Sequence, residues 1–151
     1  MEINYRAVDR DTGVAYDVTS IDLIKLTYVL STGEVVPIGS AQYDLNQGSG
    51  ILDVRGQEIF ENDIVWAVHT MNKKFVTFKF VARVKHVPGG FALEALEGWD
   101  GYNALWMFNM NKNIFEVAEA HIEVLGNKYD ELDTEKIYEE KKGEWDGIQN
   151  S

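Results

Sequence analysis

Residues 75–85 read FVTFKFVARVK, and the alternation of apolar and polar side chains along this stretch decides the fold class. Side chains of an extended chain point to opposite sides in turn, so a period of two predicts a β-strand with one buried face. A polar opposite face is typical of antiparallel sheets. The apolar face carries Val76, Phe78, Phe80, Ala82 and Val84, and the polar face carries Thr77, Lys79, Arg83 and Lys85.

The rest of the chain is divided into short segments that are rich in β-branched and aromatic residues and bounded by Gly, Asn, Asp or Pro. One of them, Ile24–Ser31, is followed by Thr32-Gly33 and Val35-Val36, which predicts a hairpin. Many short strands of this kind predict a mainly β chain with a small, barrel-like antiparallel fold. Further strands are predicted at Ile3–Val8, Ile64–Thr70, Phe91–Leu96, Leu105–Met110 and Ile122–Leu125.

Composition divides the chain into three parts. Residues 1–45 are predicted to form an amino-terminal β-hairpin layer, and residues 46–129 the barrel-like core. The stretch from Gly39 to Gly50 is rich in Gln, Asn, Ser and Gly, which favours a hinge between these two parts. Residues 130–151 form an acidic tail.

A short helix is predicted in this tail at Thr134–Lys142. Asp133 precedes it as an N-cap, and Leu132 is placed to pack against Ile137 across the first turn. Because the apolar face of the segment is thin, we expect a solvated helix that frays towards Asp146.

The net charge constrains the partners. The chain has 25 acidic residues against 14 Lys and Arg, a formal charge of −11, which repels a phosphate backbone at long range. Nucleic acid is therefore an unfavoured partner.

There is no cysteine for a disulfide or a thiol nucleophile, and no apolar run approaches the roughly 20 residues of a membrane span. These features favour a cytoplasmic protein without a membrane partner.

Three segments carry a family resemblance. The most distinctive is SGILDVRGQEIFENDIV, residues 49–65; the others are Asn4-Tyr5-Arg6-Ala7-Val8-Asp9 and Glu123-Val124-Leu125-Gly126-Asn127-Lys128-Tyr129. In content, order and spacing they resemble the YopX family of phage and prophage proteins. The resemblance implies a phage or prophage origin, a compact β-rich fold and a place in the host cytoplasm, and it implies no catalytic residues.

The central segment also has a reading from turn chemistry alone. Gly56 allows a tight turn with positive φ, and Asn62 tolerates the left-handed conformation better than most residues. Asp63 can accept bonds from nearby backbone amides at the start of a strand, after Ile59 and Phe60 have entered the core. This reading predicts a structural role for the segment.

An enzymatic alternative uses the acids of the same segment. Glu58, Glu61 and Asp63 would bind a hard cation and assist hydrolysis, but the ligand spacing of a calcium loop is absent. His69, His86 and His121 lie far apart, and no nucleophile elbow or Walker loop occurs. We therefore expect no enzyme activity, no metal and no cofactor.

Two surfaces are candidate binding sites. Aromatic residues in a loop favour a protein interface, which we assign to Trp99, Tyr102, Trp106 and Met107. The alternative is a face that binds single-stranded nucleic acid through Lys79, Arg83 and Lys85. That basic face could instead pair with acids of a neighbouring copy in a homo-oligomer, including those of the tail.

The expected function is that of a phage or prophage accessory protein. It would be a non-catalytic β module that binds a host or phage protein in the host cytoplasm, through residues on its surface. The runner-up is a small barrel that binds single-stranded nucleic acid.

Overall fold

The computed structural model describes residues 4–71, 76–88, 90–98, 105–108 and 120–149. These residues form two antiparallel sheets and a carboxyl-terminal helix. The elements are β1 (Tyr5–Asp9), β2 (Ala15–Asp22), β3 (Thr27–Leu30), β4 (Val35–Pro37), β5 (Tyr43–Leu52), β6 (Glu58–Phe60), β7 (Asp63–Met71), β8 (Val76–Val87), β9 (Gly90–Glu97), β10 (Leu105–Phe108), β11 (Ala120–Asn127) and α1 (Thr134–Gln149).

The first sheet has six strands in the order β4-β3-β2-β1-β5-β6. The turn at Thr32-Gly33 joins β3 to β4, with Gly33 at a φ of 92°, as the sequence predicts. Residues of β1, β3, β4 and β5 that point to the same side of this sheet form one apolar cluster. Its buried members are Ala7, Tyr28, Leu30, Val36 and Tyr43.

The second sheet has five strands in the order β10-β9-β8-β7-β11. The predicted apolar face of β8 is confirmed, because Phe80, Ala82 and Val84 are buried. The expectation of a single buried face is wrong, because Val81 on the opposite face is buried under α1. Ile59, from β6 of the first sheet, is buried in the same cluster and ties the two sheets together. The remaining buried members are Val65, Ala67, Phe91, Leu93 and Ile122.

The helix α1 covers the opposite face of this second sheet. Trp66, Val68 and Val81 form the apolar floor, and Tyr138 and Trp145 of α1 pack against it. The side chain of Asp133 accepts a bond from the N–H of Lys136 at 3.1 Å, which confirms the predicted N-cap. Within the described residues, no helix combines the length and apolar character that crossing a bilayer requires.

The mainly β class, the antiparallel pairing and the terminal helix are confirmed. The barrel is not: the described strands form two sheets, and in neither do the outermost strands pair with each other. The predicted boundary between residues 45 and 46 falls inside β5, where Tyr43 to Gln47 pair with β1. This polar stretch forms a strand because its backbone pairs with β1 and the buried side chain of Asn46 accepts a bond from Nε of Arg6.

The helix is longer than predicted and is docked. It starts at Thr134, as predicted, but continues to Gln149. Trp145, placed by the sequence in a fraying tail, rests against His121 of β11 with ring centroids 5.1 Å apart. Packing against the sheet supplies the stability that the sequence of the isolated segment lacks.

We expect Gly143→Ala and Gly147→Ala to stabilise the protein, each by about 1 kcal/mol, because both glycines lie in the helix with open space around the position of a new Cβ atom. Urea denaturation measures the change. Gly56→Ala is the matched control, since its surroundings are equally open but its φ is +83°. That variant should lose about 1 kcal/mol, and a gain there would contradict the argument.

Candidate functional site

The two sheets meet at a buried ion pair. Nη1 of Arg6, on β1, lies 2.7 Å from Oδ1 of Asp63, the first residue of β7, and the Asp63 side chain is only 1% exposed. Arg6 also donates from Nε to Oδ1 of Asn46 and from Nη2 to the backbone oxygen of Glu61, each at 3.2 Å. The guanidinium lies 4.9 Å from the centre of the Phe60 ring. One side chain thus holds β1, β5, β6 and β7 together.

The environment of Asp63 disfavours its charge. Burial raises the pKa of the carboxyl to about 6 from an ordinary value of 3.8, although Arg6 and the backbone N–H of Phe60 oppose the shift. The Phe60 N–H donates to Oδ2 at 2.8 Å, so the carboxylate does bind a nearby backbone amide, as predicted. Nothing in the sequence around Asp63 indicates that its second partner is Arg6.

A second carboxylate anchors the turn between β5 and β6. Oδ1 of Asp53 accepts the N–H groups of Arg55 and Gln57, and Oδ2 accepts that of Val124 in β11, all at 2.9 Å. Burial pushes the pKa of Asp53 upward, but the three backbone donors outweigh it and the pKa lies below its ordinary value. The turn therefore lies along β11, the outer strand of the second sheet.

A third contact joins the end of β11 to the first sheet. Nδ2 of Asn127 donates to the backbone oxygen of Gly13 at 2.9 Å. The hydroxyl of Tyr129 donates to Oδ2 of Asp44 and accepts from Nη1 of Arg10, each at 2.7 Å. Burial, followed by the neighbouring Asp44, raises the pKa of Tyr129 to about 12. This network is structural, since each of these polar groups is used in joining the sheets.

The three acids of the predicted cation site, Glu58, Glu61 and Asp63, each bind a different set of partners. Glu58 accepts from Nδ2 of Asn4 at 2.6 Å and from the N–H of Gly50 at 3.1 Å. Glu61 accepts from the N–H of Gln47 at 3.3 Å, and Asp63 pairs with Arg6. Across the described parts of the chain, no group of three His, Asp or Glu side chains is arranged to hold a metal ion.

The structure places the three cations of the predicted basic face beside acids. Lys79 is ion-paired with Asp146 of α1, and Lys85 with Glu94 of β9. Arg83 lies 3.5 Å from the same Glu94. Lys79 thus pairs with an acid of the tail of its own chain. The predicted pairing of this face with acids of a neighbouring copy stays a prediction.

The predicted aromatic interface falls largely beyond the described part of the chain. Trp99 and Tyr102 lie outside it. Trp106 and Met107 belong to β10, where their backbones pair with Leu93 and Ala92, but their side chains are outside the description. The assignment of these four residues to an interface remains a prediction.

A different exposed surface stands out at the end of the β2–β3 hairpin. Leu23 is 75% exposed, Ile24 95% and Leu26 59%. Ile38 lies next to them, because its N–H donates to the backbone oxygen of Leu26 at 2.8 Å. We call these four residues the hairpin tip. Single exposed apolar residues are ordinary, but a contiguous group of large ones marks an interaction site.

The backbone of the hairpin tip is shaped by Asp22. Its Oδ1 accepts the N–H groups of Ile24 and Lys25, both at 3.0 Å, which turns the chain before β3 begins. Leu26 then takes a φ of 55°, in the left-handed region that Gly or Asn occupies more cheaply. An exposed leucine in this conformation costs folding stability and gains little packing in return. Such an outlier points to a role outside folding.

The sequence reasoning missed this surface. The alternation of Ile24, Leu26, Tyr28 and Leu30 placed the first two in a strand, whereas β3 begins at Thr27. Asp22 was the available signal, because Asp bonds the backbone two and three residues ahead of it and so starts turns.

Next to the tip, the outer strand of the first sheet is protected. The backbone oxygen of Glu34 and the backbone N–H of Ile38 bond to β3 and to the residue just before it. Because such bonds alternate along an antiparallel pair, the backbone groups of Val35 and Pro37 point away from β3, towards the free edge. Pro37 has no N–H, and the strand is three residues long. Addition of another strand at the β4 edge of this sheet is therefore disfavoured.

Comparison with known proteins agrees with the motif analysis. The family described as YopX protein matches residues 4–133. The chain belongs to the YopX family. All three segments of the resemblance reach the contacts between the sheets, through Arg6, Asp53, Asp63, Asn127 and Tyr129.

One solved structure extends this result to the fold. Protein EF1440 from Enterococcus faecalis is similar over 85% of this chain and 94% of its own, with a TM-score of 0.51 and 19% sequence identity. At that identity the likeness concerns the fold alone. A search of curated proteins found no match to the sequence.

The pKa of Asp63 predicts a pH dependence. The folded protein binds this proton more tightly than the unfolded chain, so stability should fall as pH rises from about 4 to about 6, by up to about 3 kcal/mol. Urea denaturation at several pH values, compared between the wild type and Asp63→Asn, isolates this contribution.

The matched control is Asp53→Asn. The pKa of Asp53 is lowered in the folded protein, so its charge stabilises the fold and this contribution should be lost as pH falls below about 4. The stability change with pH is thus opposite in sign to that of Asp63. Parallel pH profiles for the wild type and Asp63→Asn would contradict the buried-charge argument.

Leu26→Asn tests the backbone of the tip. Asn adopts positive φ readily, so we expect the free energy of unfolding to stay unchanged or to rise by about 1 kcal/mol. Leu30→Asn, at a buried position four residues away, should lose about 3 kcal/mol or more. A comparable loss at both positions would show that Leu26 packs in the folded chain.

Proposed function

We propose that this YopX-family chain is a non-catalytic protein-binding module of a phage or prophage, acting in the host cytoplasm, and that the hairpin tip is its contact surface. The observation that carries the proposal is the tip itself: Leu23, Ile24 and Leu26 are exposed together, and Leu26 has positive φ. A hydrophobic anchor projecting from a rigid sheet suits insertion into a pocket of a partner.

The chemistry of the remaining polar groups supports a role in binding. The buried carboxylates that could serve in catalysis, Asp53 and Asp63, are bonded to backbone amides and to Arg6. The exposed surface carries most of a formal charge of −11, which keeps the chain from self-association through general apolar contact. A specific protein partner fits these properties.

The nucleic-acid alternative draws less support. Lys79, Arg83 and Lys85 each have a carboxylate neighbour within the chain, and a phosphate backbone would have to displace it. The phage and cytoplasmic setting rests on the family resemblance.

Capture from a lysate of the bacterial host tests the proposal. We expect tagged full-length protein to retain a stoichiometric protein after nuclease treatment, and Leu23→Ser, Ile24→Ser and Leu26→Asn together to reduce its recovery at least tenfold, because the hydrophobic anchor is lost. Mass spectrometry of the eluates measures the change.

The matched control is Leu52→Ser with Val54→Ser, two residues that are 62% and 51% exposed on another part of the surface. This variant should retain the partner. Equal recovery by the tip variant and the wild type would refute the assignment of the tip, and partners released by nuclease would favour the nucleic-acid alternative.

A further inference from the structure

The face of the second sheet that lies under α1 has the features of a helix-binding groove. We call it the helix-facing surface and define it by Trp66, Val68 and Val81, with Lys79 and Glu123 at its margins. Trp66 lies 6.2 Å, centroid to centroid, from the ring of Tyr138 in α1. A helix that places aromatic anchors on an apolar floor is a recurring mode of protein recognition.

Charge complementarity gives this contact a direction. Nζ of Lys141 lies 3.1 Å and 3.3 Å from the two carboxylate oxygens of Glu123, while Asp146 of α1 pairs with Lys79 of the sheet. The helix supplies the cation of the first pair and the anion of the second. A helix bound in the reverse direction would therefore bring like charges together at both points.

The helix that fills this surface is poorly suited to being a permanent part of the fold. Gly143 and Gly147 interrupt it at exposed positions, and no basic residue lies in its last turn. It therefore depends on docking for its structure. Elements of this kind open locally while the rest of the fold persists.

The boundary of the family supplies an independent observation. The YopX match ends at residue 133, and α1 begins at Thr134. The helix-facing surface thus belongs to the part of the chain shared with the family, whereas the helix that covers it lies beyond the match.

We propose that the helix-facing surface binds an amphipathic helix of a partner protein in exchange for α1. The partner helix carries the recognition pattern of α1 itself: aromatic anchors at the positions of Tyr138 and Trp145, a base at that of Lys141 and an acid at that of Asp146. This surface is separate from the hairpin tip, so the two proposals stand independently.

Competition by a peptide tests the exchange. The probe is a fluorescent synthetic peptide of residues 131–149, added to full-length protein and followed by anisotropy. Asp146→Lys in the full-length chain places two cations side by side and favours the open form without removing an apolar anchor. We expect it to bind the probe about tenfold more tightly than the wild type.

The matched variant is Gly143→Ala with Gly147→Ala, which strengthens α1 without touching the sheet. It should weaken binding of the probe about tenfold or more, because less of the open form is populated. A probe in which Tyr138 and Trp145 are replaced by Ala should fail to bind any form of the protein.

Equal affinity of the probe for all three proteins, or no binding to Asp146→Lys in a chain that stays folded by circular dichroism, would overturn the proposal. So would sedimentation showing a dimer that the Gly→Ala variant suppresses, because the occupant would then be the helix of a second copy. The tip variant should bind the probe like the wild type, which separates failure here from failure of the proposed function.

Discussion

The fold depends on the contact between Arg6 and Asp63, two charges placed where two sheets meet. Burying an ion pair has a large desolvation cost, and it is tolerated only when the remaining polar atoms find partners. Asn46, the Glu61 carbonyl and the Phe60 N–H supply them. Directional bonds of this kind define how one sheet is oriented on the other more narrowly than apolar contact would. Hydrogen bonds of Asp53 and Tyr129 join the two sheets at two further points.

Local physics made much of the fold predictable from the sequence. Alternation in residues 75–85 identifies β8 and its buried face, because the period of an extended chain is set by backbone geometry. The positive φ of Gly56 and Asn62 and the cap at Asp133 likewise follow from the covalent structure of single residues. These signals extend over only a few positions, so they identify elements better than their arrangement.

The features that the sequence did not reveal depend on distant residues. Nothing near Arg6 indicates that its partner is Asp63. The polar residues of β5 resemble a hinge in the sequence, and only the fold shows that their backbones pair with β1. The docking of α1 was missed for the same reason, since Trp145 finds His121 only in three dimensions. The hairpin tip was missed because the alternation of apolar and polar residues in β3 continues back into the turn, so that Ile24 and Leu26 resemble strand residues.

Pro37 affects the risk of aggregation that exposed hydrophobic side chains bring. Exposed leucine and isoleucine beside a free strand edge are a common start for amyloid-like stacking, in which backbone ladders grow from chain to chain. Here the strand beside the apolar group is short and lacks one of the amides that stacking needs. The side chains remain free for a selective contact, while indefinite growth into fibres is discouraged at its first step.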